Sequence, residues 1–450
     1  MSARPGVLLL ALGAAFLCGC AGHEARVKAA LDALDRGAPA EAVGALNEEL
    51  AVTRAEDLPP QLGGDEALLV LDRAAVLQSM DRYELSARDF GAADKAIDLL
   101  DLSRSAAHDV GRYLFSDDVG PYRAPGYEKL LINTFNMMNY LALRDLSGTR
   151  VEARRLAVVQ RYLKDRGEHG TLLGLGSYLA GFAFEKSAQR DEALRHYDEA
   201  LGYASYGSLA PALRALTGGQ PYSPAVDRLV GASGDAAPAP PGDEAEILVV
   251  VGYGRVPQKI PVRIPIGLAL TLVASDISPR DHALATSLAA KGLVTWVNFP
   301  RLGPSRGRYD EPTLALDGSA QPLEPALDVE AEVRRIWQEN EGTLVLAAIT
   351  RMLARAVAGE AAGAATSALA DDDSGALGLL AGLFTTAALS AADTPDTRGW
   401  STLPARLAVA RLRVRPGKHR LAVSARGETK RYAVTVGARD WVFVGMQALR

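Results

Sequence analysis

The hydrophobic periodicity of this chain changes in its second half, and this change restricts the fold more than any other feature of the 450 residues. From residue 23 to about residue 217 the sequence is rich in Ala, Leu, Arg and Glu, and its few prolines separate helix-forming segments. From residue 247 on, β-branched residues become frequent, and residues 259–266 alternate between apolar and polar, which is typical of strands. We therefore expect an α+β multidomain protein with its helices first and most of its strands last.

The helical half contains segments that recur as a helix, a short turn and a second helix. The clearest is residues 177–201, in which Ala180 and Gly181 lie on the first helix and Tyr197 lies on the second. This pattern resembles the tetratricopeptide repeat (TPR), a unit of about 34 residues in which small residues let two helices approach and aromatic residues fill the gap. Such units bury their apolar faces against their neighbours, so we expect a TPR-like α-solenoid of roughly three to five hairpins at residues 20–230.

Residues 231–245 are rich in Pro, Gly and Ala and poor in large apolar residues, which is typical of a linker between domains. We expect a helical domain that folds separately before this linker and a β-rich domain at residues 246–450 after it. The last four strands are expected to form an antiparallel meander. A Gly- and Ala-rich helical hairpin is expected as an insert at about residues 328–392, with its second helix at residues 375–392.

The N-terminus has the plan of a signal peptide at residues 1–19, because a short positive segment precedes an apolar run that is too short to span a bilayer. The motif Leu-Cys-Gly-Cys at residues 17–20 resembles the lipobox of bacterial lipoproteins, which implies a lipid on Cys20. Ala21 is similar to the residue that follows this cysteine in lipoproteins sorted to the outer membrane. We therefore expect a lipid anchor in the outer membrane of a Gram-negative bacterium, with the protein facing the periplasm. An ordinary secretory signal that contains cysteine is the alternative.

The composition gives little support for an enzyme. The net charge of −5 argues against nucleic-acid binding, the six histidines are dispersed, and the two cysteines are confined to the N-terminus. Gly252 and Gly254 follow a strand, but Val256 and Pro257 replace the helix that a dinucleotide-binding motif requires. We therefore expect no catalytic residue, no metal site and no cofactor.

The last fifty residues are locally basic, since they hold eleven Lys and Arg residues and only two acidic residues, Glu428 and Asp440. Two interpretations of this end are open at the level of sequence. The basic side chains extend into solvent from the outer faces of strands, or they form a surface for phosphate groups or lipid headgroups.

Several short motifs carry a resemblance to a known family. They are residues 127–131, 139–143 and 151–155 in the helical half, residues 312–318 in the middle of the chain, and residues 396–404, 410–412 and 416–417 near the C-terminus. Together they resemble an uncharacterised family of bacterial lipoproteins with tetratricopeptide-like repeats. The resemblance extends over most of the chain after the signal peptide. It implies the helical architecture and a role in the cell envelope, and it implies no biochemical activity.

Asp396, Arg398 and Trp400 form the most distinctive cluster of the C-terminal half, because Arg beside Trp and an acid can make an ion pair or a binding anchor. A structural latch is the alternative for this cluster. Glu152 and Arg155 are spaced to pair across one helical turn. The leading hypothesis for function is an adaptor that binds a protein partner through its helical repeats. The alternative is a structural subunit that forms homo-oligomers through the helical insert.

Overall fold

The computed structural model describes residues 22–63, 65–102, 122, 124–165, 172–232, 244–273, 275, 277–290, 296–306, 310–369 and 394–450. The expected signal peptide, Cys20, most of the expected linker and the second helix of the expected insert lie outside these residues. Within them the chain is an α+β protein with thirteen α-helices and three sheets. The helices lie mainly in the N-terminal half and the strands in the C-terminal half, which confirms the fold class at this level of detail.

The N-terminal half of the described chain is helical. Its elements are α1 (His23–Asp35), α2 (Pro39–Glu49), α3 (Glu66–Ser79), α4 (Tyr83–Leu102), α5 (Gly126–Ala142), α6 (Leu146–Asp165), α7 (Leu173–Lys186), α8 (Arg190–Leu201), a short 3₁₀ helix (Gly207–Leu209), α9 (Ala210–Thr217) and α10 (Pro224–Ala232). Ala, Leu and Glu are frequent here, and they lose little side-chain freedom in a helix. Pro39 lies in the first turn of α2, where its missing N–H removes no helical hydrogen bond.

Four pairs of consecutive helices, α1–α2, α3–α4, α5–α6 and α7–α8, are joined by turns of one geometry. Each first helix is followed by a residue with positive φ, which is Gly37, Asp81, Arg144 or Ala188. In the second turn, Asp81 N–H donates to the carbonyl of Gln78 and Arg82 N–H donates to the carbonyl of Leu77. These bonds satisfy carbonyls at the end of the helix and stop it sharply. The turns are unevenly spaced along the chain, so the structure shows helical hairpins, and the regular TPR solenoid stays a prediction.

The strands and three further helices follow residue 244. They are β1 (Ala245–Tyr253), β2 (Lys259–Pro265), α11 (Ile266–Leu272), α12 (Pro279–Ala290), β3 (Trp296–Leu302), β4 (Thr313–Leu316), β5 (Ser319–Gln321), β6 (Glu324–Asp328), α13 (Val329–Leu369), β7 (Arg406–Val414), β8 (Gly417–Ala425), β9 (Glu428–Val436) and β10 (Trp441–Ala448). The first sheet has the order β10-β1-β7-β6, the second has the order β5-β4-β8-β9, and β2 pairs with β3. The first helix of the expected insert is present as α13, and the hairpin itself stays a prediction.

The first sheet is covered on both faces, and the sequence of β1 explains why. Its run of Ile, Leu and Val is buried throughout, as expected for a strand with no solvated face. Leu248 and Val250 pack against the N-terminal helices, whereas Val249 and Val251 pack against the second sheet. The first sheet is therefore the middle layer between the helices and the second sheet.

The expected meander of the last four strands is wrong. β7 and β10 belong to the first sheet, where β10 runs parallel to β1, while β8 and β9 belong to the second sheet. The burial patterns give the physical reason, because residues 407–410 of β7 are all buried whereas β9 alternates between exposed and half-buried residues. Of these four strands, β8 and β9 form a hairpin, with Arg426 and Gly427 at positive φ in its turn.

A smaller core lies to one side of these layers. The β2–β3 pair, α11, α12 and the middle of α13 pack around Ile266, Val297, Phe299 and Ile349. α13 begins at Val329 directly after β6, and its first turn carries Glu330 and Glu332, which favour a helix N-terminus.

The N-terminal helices and the first sheet share one hydrophobic core. Phe90 and Phe135 of the helices belong to the same buried cluster as Val250, Val409 and Phe443 of the sheet. Separate folding of the helical half, which its expected linker suggested, does not agree with this packing because the isolated helices would expose that face to water. The boundaries of the expected domains stay predictions.

Candidate functional site

The residues 394–405, here called the 394–405 segment, bring the three predicted site residues together. Arg398 donates from Nε and Nη2 to the two oxygens of Asp396, at 2.9 and 2.8 Å, and from Nη1 to Asp65 Oδ1 at 3.2 Å. Burial alone would raise the pKa of Asp396, but the hydrogen bonds and charge of Arg398 lower it. This pair is therefore an ion pair at neutral pH.

Trp400 lies deeper in the same segment and is 1% exposed. Its ring meets Phe90 and Phe135 edge-on, with centroids 5.7 and 5.5 Å away. Its backbone N–H donates to Glu128 Oε1 at 3.0 Å, and Thr402 N–H donates to Asp72 Oδ1 at 2.8 Å. The segment thus contacts α3, α4 and α5, and the ring of Trp400 is closed to a ligand from solvent.

A second site, an open groove between α4, α5 and α6, was not predicted from the sequence. It has a volume of about 810 Å³ and is lined by residues of all three helices, among them Gly91, Asn133, Asn136, Val151 and Val158. A Cβ atom added at Gly91 would meet no atom within 4 Å, so the space beside this residue of α4 is open. A volume of this size is sufficient for a small molecule or several residues of a peptide.

Asn133 is the most unusual residue of this α4–α6 groove. It is 1% exposed, and its Nδ2 donates to the carbonyl of Lys129 at 3.0 Å. Its Oδ1 is also buried, and within the described structure it has no hydrogen-bond partner. Rotating the amide would bring two oxygens together, so the orientation is fixed by Lys129. A buried acceptor without a partner costs about 1–3 kcal/mol, which points to a donor supplied from outside the chain.

Glu152 gives the groove a group that titrates near neutral pH. Burial raises its pKa to about 7, and nearby Asp94 acts in the same direction, whereas Arg155 and Asn136 act against it. Arg155 Nη1 lies 3.3 Å from Asp94 Oδ2 and 3.5 Å from Glu152 Oε1, which confirms the predicted pairing of Glu152 with Arg155. The net charge of the groove therefore changes across the neutral pH range.

A chain of buried amide side chains connects the floor of the groove to the first sheet. Gln447 of β10 donates to Gln78 at 3.3 Å, Gln78 donates to Asn139 Oδ1 at 2.7 Å, and Asn139 donates to Asn136 Oδ1 at 3.3 Å. Asn136 in turn hydrogen-bonds the carboxyl of Glu152. The polar groups on the groove floor are thus oriented by contacts that begin in the sheet.

The sequence does hold a signal for this site. Asn133, Asn136 and Asn139 follow one another at three-residue spacing within the apolar helix α5, so they share one face. Amide side chains repeated on a buried face need partners there, and that requirement distinguishes them from asparagines on a solvated helix.

No family model, no curated protein and no solved structure matches this chain. The resemblance to bacterial tetratricopeptide-like lipoproteins therefore rests on its sequence motifs and stays a prediction. In the described residues, no three His, Cys, Asp or Glu side chains are grouped to hold a metal ion. None of the helices described there is both long and apolar enough for a membrane span.

Proposed function

We propose that this protein is an adaptor lipoprotein that binds a segment of a partner protein in the α4–α6 groove. Its lipid anchor is Cys20, its place is the periplasmic side of the outer membrane, and its work is in assembly of the cell envelope. The observation that carries the binding proposal is the unpartnered Oδ1 of Asn133, a buried residue that lines an open groove. A peptide backbone supplies N–H donors of the kind that this acceptor lacks.

The wall of the groove supports a protein segment as the occupant. Val151 and Val158 are seven residues apart on α6, so they lie on one face, and they are 44% and 69% exposed. Exposed apolar side chains beside a polar floor are typical of sites that bind another chain. The groove thus offers apolar contacts for side chains and a hydrogen-bond acceptor for the backbone.

We propose binding rather than catalysis for this site. The two carboxyl groups in the groove, Asp94 and Glu152, both face the guanidinium of Arg155. The arrangement fixes these groups relative to each other, and the described lining of the groove includes no Ser, Thr, Cys or His side chain. For the 394–405 segment we propose the role of a structural latch, because the ring of Trp400 is buried against Phe90 and Phe135.

Photo-crosslinking in the cells that make the protein tests the adaptor proposal. A crosslinking amino acid replaces Val158 in the groove or, as the control, Leu272, which is 52% exposed on α11. We expect a discrete adduct with a second protein from position 158 only, and loss of that adduct when Asn133→Leu is added. An equal adduct from position 272, or an adduct that Asn133→Leu leaves unchanged, would contradict the proposal.

The alternative proposal, a subunit that oligomerises through the helical insert, is favoured by one observation. Val357 lies on α13 and is 50% exposed, so this helix has an apolar side chain outside the core. Crosslinking from position 357 distinguishes the two proposals. An adduct with the mass of two copies of the chain supports the oligomer. If crosslinking from position 357 leaves only the mass of one chain, this result argues against the oligomer.

A further inference from the structure

The outer face of the second sheet carries cationic side chains that form no ion pair within the described part of the chain. Along β8, Leu421 and Val423 point into the core, so the residues between them point away from it. Residues that are paired across an antiparallel sheet lie on the same face, and the register of β4, β5, β8 and β9 therefore defines the outer side. Its side chains are Thr313, Ala315, Ala320, Lys418, Arg420, Ala422, Ser424, Thr429, Arg431, Ala433 and Thr435.

Three of these side chains are cationic and none is acidic. Lys418 and Arg420 are two residues apart on β8, about 7 Å along the strand. Arg431 of β9 is opposite Ala422, so it lies diagonally beside Arg420. In the described part of the chain, none of the three cationic side chains forms an ion pair or a side-chain hydrogen bond. Their charges therefore face solvent together.

A carboxylate at the edge of this face, Asp317, already has hydrogen-bond partners. Asp317, in the turn between β4 and β5, lies 2.7 Å from His419 Nδ1 and accepts the backbone N–H of Arg420 at 2.8 Å. These contacts lower the pKa of Asp317, the bond from Arg420 N–H most of all. Asp317 is therefore ionised, and its charge interacts with that of Arg420. It lies at one end of the strands, however, and forms an ion pair with none of the three cationic side chains.

The basic end of the chain has two kinds of cationic side chain, as a comparison of the outer face with Arg411 on β7 shows. Arg411 is buried and donates from Nη2 to Glu185 Oε1 and to Glu246 Oε2, both at 2.7 Å, so it joins helix to sheet. Lys418, Arg420 and Arg431 make no comparable contact in the described residues. Because the whole chain has a net charge of −5, this face opposes the average charge of the protein.

We propose that the outer face of the second sheet binds the anionic phospholipid surface of a membrane. Apart from the three cations, its side chains are Ala, Ser and Thr, so no large side chain keeps a plane of headgroups away from the positive charges. Each Lys or Arg near an anionic leaflet contributes separately, and three on one face act together. This site orients the protein on the membrane and does not depend on the partner bound in the groove.

Vesicle binding of the full-length chain tests this proposal. Vesicles of pure phosphatidylcholine are compared with vesicles that also contain phosphatidylglycerol, so that any binding through the N-terminus enters both measurements. The test variant is Lys418→Gln/Arg420→Gln/Arg431→Gln. The control variant, Arg161→Gln/Arg228→Gln/Arg280→Gln, removes three exposed cations from helices, and the melting temperature of each variant is measured to confirm folding.

We expect wild type and the control variant to prefer the anionic vesicles, and the test variant to lose that preference by roughly 10- to 100-fold. Added salt should weaken the preference, since the charges are exposed. A test variant that folds and keeps the preference overturns the proposal, as does a wild type without one. If polyglutamate displaces the vesicles at equal charge, the face binds an acidic protein instead. If inorganic phosphate displaces them, the face is a site for free phosphate. None of these results bears on the proposal that the groove binds a partner protein. Conversely, failure of the crosslink from position 158 does not bear on membrane binding by the outer face of the second sheet.

Discussion

The 394–405 segment and the α4–α6 groove both contain buried polar groups at helix α5. The two sites differ in whether these groups have hydrogen-bond partners. In the segment, the backbone N–H groups of Trp400 and Thr402 have acceptor oxygens on the side chains of Glu128 and Asp72. In the groove, the Oδ1 of Asn133 has none in the described structure. The segment therefore resembles a structural contact, whereas the groove retains an energetic cost that a ligand can remove.

The largest change in stability is expected from truncating Trp400 in the 394–405 segment. Trp400→Ala removes a buried ring from between Phe90 and Phe135, and such truncations cost about 3–5 kcal/mol. Urea unfolding measures this loss. Trp296→Ala is the matched control, because Trp296 is 46% exposed and lies beside Arg263, and we expect it to cost less than about 1 kcal/mol. Equal losses for the two variants would mean that Trp400 is not a core residue.

A smaller change in the free energy of unfolding is expected from the titration of Glu152 in the groove. The pKa of Glu152 is about 7 in the folded protein against 4.5 for an ordinary glutamate, so the folded state holds a proton that the unfolded chain releases. The stabilising contribution is complete below pH 4.5 and is lost as pH rises through 7. Between pH 5 and pH 8 the free energy of unfolding of wild type should fall by about 1–3 kcal/mol more than that of Glu152→Gln.

Urea unfolding at the two pH values checks this difference, and Glu48→Gln, at an exposed position of α2, is the control. We expect that control to follow wild type at both pH values. Glu152→Gln with the same pH dependence as wild type would show that this carboxyl does not titrate in the groove.

The sequence predicts the coarse fold because local patterns determine it. Helix-forming composition before residue 217 and strand-forming runs after residue 247 are both confirmed. The partners of the strands are not a local property, and the parallel pairing of β1 with β10 across nearly two hundred residues therefore escaped prediction. The short strands β5 and β6 and the helices α11 and α12 escaped because few residues carry their pattern.

The candidate sites show the same limit. The contact of Asp396 with Arg398 is local, and the sequence placed these residues together correctly. The partners of Trp400 come from helices that are more than 250 residues earlier, so its depth was not predictable from its neighbours in the chain. The groove arises from three helices, and only the spacing of Asn133, Asn136 and Asn139 indicates it beforehand.

The stability of Asn133→Leu, compared with that of Asn340→Leu, shows most directly whether the α4–α6 groove keeps an acceptor for a ligand. Both asparagines donate to the carbonyl four residues earlier in a helix, but Asn133 lines the groove with a buried acceptor whereas Asn340 is exposed on α13. If the groove keeps its acceptor for a ligand, Asn133→Leu should raise the free energy of unfolding by about 1 kcal/mol. Asn340→Leu should change it by less than about 0.5 kcal/mol. A loss of stability in Asn133→Leu would mean that Asn133 supports the fold and that its Oδ1 is not an acceptor kept for a ligand.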